Sequence, residues 1–474
     1  MRQRTAPDGS AGAGADVDSE PISDGSPSDG STGDTGRASW NKSVFTGGAV
    51  LFTGNIVASV GFFAAVLLLA RGLPPAERGT IAFLTVSAQL IARVAGMGTP
   101  QAVSVLAARR PLERPALLVS ATAFVGSVAA LLALVACGGL WLLDDLTPSG
   151  IGSVELLLLA FGALAVALSE AGYGFLLGCS RFRLQMTIQM TVPWLYAALL
   201  AIFYAGPGLT VTRAALVWTV AMSAGAAFLA VACLRGVGLA RPNVRVLVGS
   251  IRFGLRAWVG SLASFLNLRA DQVLMGFIAT EAALGVYAVA VNGAEVLLHL
   301  PTAIGLAIVP AIAGGDATGR SERALAVFRT VSLLTLPLIV LAALLGPTLL
   351  PAVFGSAYEG SVEPFVWLLP GTFGFIAIAV LSNALLGSGS PGTASLPPVT
   401  ALVVGIALDL ALIPRYEATG AAIAATTAFL VGGTVALIAY RAQSRFAWSS
   451  VIPRPADITA LRRLVGEIRR SRGR

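Results

Sequence analysis

The chain has 474 residues, 56% of them hydrophobic and 12% charged, with a mean hydropathy of +0.81. That balance excludes an ordinary soluble domain. The net charge is +8, but residues 1–36 hold two arginines against seven acids, net −5, so the remainder carries +13. In a membrane chain such an excess reads as cation retention on one side and contact with anionic lipid, not as a nucleic-acid patch.

Residues 1–40 are rich in Gly, Ser, Asp and Pro and lack an apolar period, so they are expected to form a disordered cytoplasmic segment. No apolar run precedes residue 44, so there is no signal peptide, and the first span acts as an uncleaved signal-anchor. Asn41-Lys42-Ser43 fits a glycosylation sequon by chance, on the wrong side of the membrane. A span needs about 20 apolar residues. Twelve such stretches follow, at 44–69, 80–105, 116–142, 155–178, 186–205, 212–234, 257–279, 284–312, 326–353, 362–387, 394–414 and 419–440; the seventh is the least apolar. Arg clusters fall in every second gap: Arg109, Arg110 and Arg114; Arg181 and Arg183; Arg235, Arg241, Arg245, Arg252 and Arg256; Arg320, Arg323 and Arg329. The gaps between carry Asp144 and Asp145, Glu281, or Glu359 and Glu363. Lys and Arg are retained in the cytoplasm during insertion, so both termini are expected there, in the cytoplasmic (inner) membrane. Beyond residue 440 comes a basic tail, 441–474. In it Ile458, Leu461, Leu464, Val465 and Ile468 recur at helical spacing behind Asp457, among Arg462, Arg463, Arg469 and Arg470. That pattern suits either a membrane-surface helix or a solvated positive tail.

Three local matches reveal a repeat. Arg78-Gly79-Thr80-Ile81-Ala82 corresponds to Leu284-Gly285-Val286-Tyr287-Ala288, Leu177-Gly178-Cys179-Ser180 to Leu386-Gly387-Ser388-Gly389, and Thr212-Arg213-Ala214-Ala215-Leu216 to Thr419-Gly420-Ala421-Ala422-Ile423. The offsets of 206, 209 and 207 agree in order and size. Six spans separate each pair, so two six-helix lobes, 41–246 and 247–440, are expected about an axis along the membrane normal with a cavity between them. The fold class is therefore an all-α integral membrane protein.

Several chemistries drop out. Cys137, Cys179 and Cys233 form no CxxC pair, and one His cannot make a cluster, so no metal site or cofactor is expected. Gly387-Ser388-Gly389-Ser390-Pro391-Gly392 fits GxGxxG but follows a membrane helix, without the strand a dinucleotide fingerprint requires. The only Lys is Lys42, so there is no Walker sequence. The loops are too short for an extramembrane catalytic domain, which argues against a membrane glycosyltransferase, polymerase or ligase and for a protein that is not an enzyme.

Ionisable groups inside spans are costly and mark cavities or partners. Here they are Arg93, Glu170, Arg269, Asp271, Glu295, His299 and Asp409. Arg269, with Asn267 beside it, suits an anion because a guanidinium stays charged and binds phosphate oxygens as a fork. The alternative is that it pairs with Asp271 or Glu295 and holds helices together. Asn292, Glu295 and His299 share one helical face, as a polar wall, a proton path or a hydrogen-bonded structural set. Asp271 points elsewhere and is expected to meet another helix. Arg93 is a second anion contact or a helix-end group, Asn55 and Asn267 hold similar places in the two halves, and Glu170 and Asp409 are expected between lobes or at span ends.

Some of these segments resemble a known family. Arg269-Ala270-Asp271, then Leu284-Gly285-Val286-Tyr287-Ala288-Val289-Ala290, then Pro310-Ala311-Ile312-Ala313 resemble the opening of the second half of Wzx-type polysaccharide and oligosaccharide-lipid flippases. Leu412-Ile413-Pro414-Arg415-Tyr416 with Thr419-Gly420-Ala421-Ala422-Ile423-Ala424 is similar to that family's hairpin before its last helix, and Arg71 to Gly79 to its first-half counterpart. The likeness spans roughly 44–440. It places the chain in the superfamily of MATE-type drug exporters and peptidoglycan-precursor flippases. It implies two lobes that rock about a central cavity and a polyprenyl-pyrophosphate-linked glycan as cargo, and with that cargo glycan polymerase and glycosyltransferases as partners. The alternative is a MATE-type exporter of small molecules, with the same fold and a less cationic cavity.

Overall fold

The computed structural model describes residues 54–142, 151–238, 240–313, 317–388 and 390–452. The N-terminal segment, the sequon, Asp144 and Asp145, and the amphipathic part of the tail lie outside them. Every described element is helical. In chain order they are α1 (Gly54–Gly72), α2 (Pro75–Gly96), α3 (Thr99–Arg109), α4 (Arg114–Leu142), α5 (Ser153–Gly178), α6 (Phe182–Ala205) and α7 (Val211–Val237), then α8 (Val244–Ile278), α9 (Glu281–Ala313), α10 (Ala317–Phe354), α11 (Val362–Leu368), α12 (Gly371–Gly387) and α13 (Pro391–Ser444).

Nine of these stretches are long and apolar enough to cross a membrane, and the pair Ser356–Leu368 and Gly371–Gly387, bent by 52°, makes a tenth. Two helices, α8 and α13, bear on the twelve spans expected from the sequence. The helix α8, which holds the least apolar of the expected spans, falls short of that composition because it carries several arginines and polar residues. The helix α13 folds back on itself at Glu417, whose φ of 44° and ψ of −122° break the helical run. Position 420 then abuts the Leu412 carbonyl, 405 abuts Ala428 and 432 abuts Ala401, the contacts of an antiparallel hairpin. The second expected span differs from 80–105. Met97 and Gly98 both take left-handed backbone, which ends α2 after Gly96 and starts α3 at Thr99.

The exterior is apolar. Leu131, Leu134, Trp141 and Leu344 are each 61–72% exposed, a surface that only hydrocarbon solvates cheaply. The interior is built on small residues, which let membrane helices approach closely. One core joins α1, α2, α5, α6 and α7 around Leu69, Leu84, Leu159, Tyr196 and Trp218. Another joins α10, α12 and α13 around Leu325, Ile376, Leu381 and Tyr440.

The seam between these halves carries the repeat directly. A Cβ on Gly79 would lie 1.9 Å from the Glu281 carbonyl oxygen, and one on Gly285 would lie 1.8 Å from that of Pro75. Both Gly79 and Gly285, and both Pro75 and Glu281, are 206 residues apart. Equivalent residues thus meet reciprocally, as at an isologous contact, and the pseudo-twofold axis passes between α2 and α9. Around this contact Arg71 donates to the carbonyls of Val353 (2.8 Å) and Ala352 (3.2 Å), and the Tyr358 hydroxyl donates to that of Leu73 (2.9 Å). This end of the bundle is shut. At the end that carries the Arg clusters, α3 and α8 touch backbone to backbone at Gly98 and Gly254.

Candidate functional site: charged groups at the seam and in the second lobe

The helix α8 runs beside the seam and positions most of the polar groups. Near its middle, Arg269 donates through both Nη atoms to the carboxylate of Glu295 on α9, with Nη2 to Oε2 at 3.1 Å. The two side chains are 19% and 17% exposed. Two parallel N–H donations of this kind form the fork geometry of a guanidinium on a carboxylate. One turn earlier on the same face of α8, Phe265 packs under the guanidinium of Arg93, 5.7 Å from the ring centroid. Arg93 lies in the last turn of α2 and donates to Glu170 on α5 at 3.0 Å. The indole of Trp258, also on α8, donates to the Arg93 carbonyl at 3.0 Å. Four residues of helix rise about 6 Å, so Arg93 and Arg269 occupy successive turns along α8.

Behind this stripe lies a second polar group. Asp271 is 8% exposed; it accepts from its neighbour Gln272 N at 2.7 Å and from the Tyr287 hydroxyl of α9. Asp409 on α13 is 4% exposed, interacts electrostatically with Asp271, and has one carboxylate oxygen, Oδ1, without a hydrogen-bond partner. A cavity of about 40 Å³ opens here, lined by Asn267, Asp271, Tyr287, Glu295, Thr372 and Phe429 among others. That is room for a few waters or a small ion, and far too little for a glycan.

The other residues singled out in the sequence are placed as follows. Asn267 Nδ2 donates to the Pro398 carbonyl of α13 at 2.7 Å, so it ties α8 to the hairpin. Asn292 Nδ2 donates to Ala288 on its own helix at 2.6 Å. Asn55 is exposed in the first described turn of α1 and is not among the groups lining the 40 Å³ cavity. The side chain of His299 lies outside the described residues. Glu170, expected between lobes or at a span end, pairs with Arg93 in the last turn of α2, and Asp409, of which the same was expected, stands on α13 ahead of the break at Glu417. The sequence reading passed over Tyr287 and Arg78, both within the repeat motif. Tyr287 could have been found as a phenol one helical face from Asp271; Arg78 could have been found as a cation in a gap that should hold none.

The described residues thus form a many-span helical bundle with a reciprocal glycine contact between α2 and α9 and ion pairs inside the span. A family model described as "Polysaccharide biosynthesis protein" matches residues 68–363. The chain belongs to that family. No curated protein sequence matches it significantly. Among solved structures, the lipid II flippase MurJ in an inward closed conformation is similar with a TM-score of 0.69 at 13% identity, over 83% of this chain and 87% of that one. A multidrug resistance MATE family transporter of the MOP superfamily, in an inward-facing conformation, gives 0.59 at 18% identity, over 82% and 94%. A Vibrio cholerae MATE transporter gives 0.55 at 15%, over 88% and 99%. These identities establish the fold and bring no substrate with them. The chain belongs to the polysaccharide biosynthesis family and shares the fold of these transporters.

Proposed function

We propose that the chain moves a polyprenyl-(pyro)phosphate-linked oligosaccharide or polysaccharide precursor from the cytoplasmic to the outer leaflet of the cytoplasmic membrane, with both termini in the cytoplasm. One observation carries the reading: Arg93 and Arg269 stand on successive turns along α8, each held by a carboxylate in this closed state. A diphosphate offers two adjacent charged groups, one for each guanidinium. It would displace Glu170 and Glu295 as the lobes 41–246 and 247–440 separate, and the carboxylates would reclaim the arginines after release. The glycan itself stays in the aqueous cavity and needs little recognition beyond room. Asn55, Asn267 and Asn292 belong to the polar wall on this reading, and glycosyltransferases and a glycan polymerase act before and after the transporter. Asp271 and Asp409 form the coupling site. Two buried carboxylates, Asp271 lining a small cavity and Asp409 with an oxygen unsatisfied, are chemistry for a cation or a proton. Glu295 takes part only through Arg269.

The test is reconstitution of the full chain in proteoliposomes with a fluorescent polyprenyl-diphosphate oligosaccharide, and measurement of its protection from an impermeant quencher. Flipping that needs both Arg93 and Arg269 is expected. A specific observation favours the second reading, a MATE-type small-molecule exporter: Arg93 and Arg269 each bring their own carboxylate, so these two pairs carry no net positive charge. Efflux of a cationic dye by the same vesicles, with no movement of the glycolipid, would decide for that reading.

A further inference from the structure

The charge rule that orients the chain has four exceptions. Arg71, Arg78, Arg213 and Arg415 sit at the end opposite the basic clusters. Three have plain accounts. Arg71 donates to the carbonyls of Val353 and Ala352. Arg213 donates to those of Pro207 (2.8 Å) and Gly208 (3.0 Å). Arg415 is exposed. Arg78 is different: it is almost wholly out of solvent and makes no salt bridge among the described residues. The residue is 5% exposed, its Nε has no hydrogen-bond partner, and no carboxylate among the described residues pairs with it. Its electrostatic neighbours are two neutral phenols, Tyr196 of α6 and Tyr358 of the short 3-10 turn Ser356–Ser361. The other arginine buried to this degree among the described residues, Arg329, donates to the Ser450 carbonyl at 2.7 Å.

The position is as telling as the isolation. Arg78 is next in sequence to Gly79, so it lies beside the pseudo-axis contact, and Tyr358 bonds across the same seam to Leu73. A buried guanidinium without a counter-charge is strongly unfavourable in a low-dielectric interior. It is tolerated where another state of the protein supplies the partner, because strain of this kind collects at functional sites. The state that would supply one is that in which α2 and α9 part and the seam opens.

We propose that Arg78 is a second anion subsite, sealed here by the Gly79–Gly285 contact and presented on the exit side when that contact opens, where it takes the diphosphate of the departing lipid-linked substrate. The proposal rests on the flippase reading and its orientation. A guanidinium matches phosphoryl oxygens better than it matches neutral sugar. The substrate's phosphates thus pass from Arg93 and Arg269 to Arg78, and the seam closes behind them. A phospholipid of the outer leaflet shares the phosphate chemistry, so the test must separate the two.

The full chain is placed in phosphatidylcholine nanodiscs, and Gly79→Leu is used to wedge the seam apart. Undecaprenyl diphosphate, inorganic pyrophosphate and phosphatidylglycerol are the probes. The wedged variant is expected to bind both diphosphates, and adding Arg78→Met is expected to weaken both by about ten- to a hundredfold, the worth of one or two charge-assisted hydrogen bonds. Arg78→Met alone should melt no lower than the parent, because it removes an unpaired charge and keeps most of the volume. Undecaprenyl diphosphate binding indifferent to Arg78 overturns the proposal, and so does a destabilised Arg78→Met, which would make the residue a structural one. A larger dependence on Arg78 for phosphatidylglycerol than for either diphosphate assigns the subsite to bulk lipid and overturns the substrate claim. If pyrophosphate binding depends on Arg78 while the parent flips no glycolipid, the flippase reading fails and the anion subsite stands.

Discussion

Removing Arg269 alone cannot tell a substrate contact from a structural one, because Glu295, 17% exposed, would then lose the guanidinium it accepts from. Breaking a buried pair from one side costs about 3–5 kcal/mol, much of it the uncompensated charge. Arg269→Ala should therefore lower stability as well as transport. Replacing both partners by apolar groups of similar size is often close to neutral, within about 1–4 kcal/mol and frequently in the stabilising direction. Arg269→Met combined with Glu295→Met should thus recover the melting temperature and the membrane abundance that Arg269→Ala loses. Transport should not recover. If Arg269 gives a diphosphate two charge-assisted hydrogen bonds of roughly 1.5–3 kcal/mol each, their loss weakens substrate binding by at least about 100-fold. The assay is glycolipid flipping in proteoliposomes normalised to protein, with thermal unfolding in detergent alongside. A double variant that is stable and flips at the parent rate would refute the reasoning, returning Arg269 to a role in holding α8 to α9.

Other outcomes follow from the same geometry. Reporter fusions after Arg110, Asp145 and Arg441 should read inside, outside and inside; an outside C-terminus would mean that the number of crossings is not even. Gly285→Val puts a side chain where the Pro75 carbonyl oxygen lies 1.8 Å from the Cβ position, so the α2–α9 contact cannot form as it stands. Cross-linking across the seam between cysteines placed at Leu73 and Tyr358 should fall several-fold in that variant, and undiminished cross-linking would show that the seam does not depend on the glycine contact. Asp409→Asn keeps the shape and removes the charge, so transport should lose its dependence on an imposed sodium or proton gradient while binding of the lipid-linked substrate persists; unchanged gradient dependence would exclude Asp409 from coupling.

The sequence carried the fold well because each relevant signal was repeated. Arg clusters recur in alternate gaps, and the three paired motifs agree in offset, so chance loosened no single inference. Gly79 and Gly285 were visible as repeat partners before they were seen to touch. The site was less legible, for a physical reason. A guanidinium's partner depends on how helices far apart in sequence rotate against each other. Arg269 could be narrowed to Asp271 or Glu295, and the register of α8 on α9 selects Glu295 while turning Asp271 to Tyr287. Arg93 reaches Glu170, 77 residues away, through a contact with no local signature. Span edges failed where backbone geometry and not hydropathy sets them, as at the left-handed pair Met97–Gly98.

The symmetry of the frame and the asymmetry of its chemistry also belong together. At the offset of 206 that relates α2 to α9, Glu295 corresponds to Gln89 and Arg93 to His299; at the offset of 207 near the last span, Asp409 corresponds to Ile202. Gln89 donates to the Thr85 carbonyl of its own helix, and Ile202 is 64% exposed on the exterior. The glycines and the short helix crossings are thus held in common, whereas two of the three buried carboxylates among the described residues, Asp271 and Asp409, lie in the second half, and the third, Glu155, is taken up by Gly152 N and Thr212. A symmetric seam lets the lobes rock about one axis with similar contacts at both ends. An asymmetric set of charges means that an ion entering the second lobe changes the energy of that lobe alone. On the coupling proposed above, an ion at Asp271 and Asp409 would act on the lobes by way of α8, the helix that carries Asp271, Arg269 and the Phe265 platform under Arg93. Neutralising Asp271 would change the field at Arg269 and so the ease with which Glu295 gives it up. On this argument substrate and coupling ion meet through a single helix, and substitutions on α8 should alter both the affinity for a diphosphate and its dependence on the ion gradient, whereas substitutions at Glu170 should alter the first only.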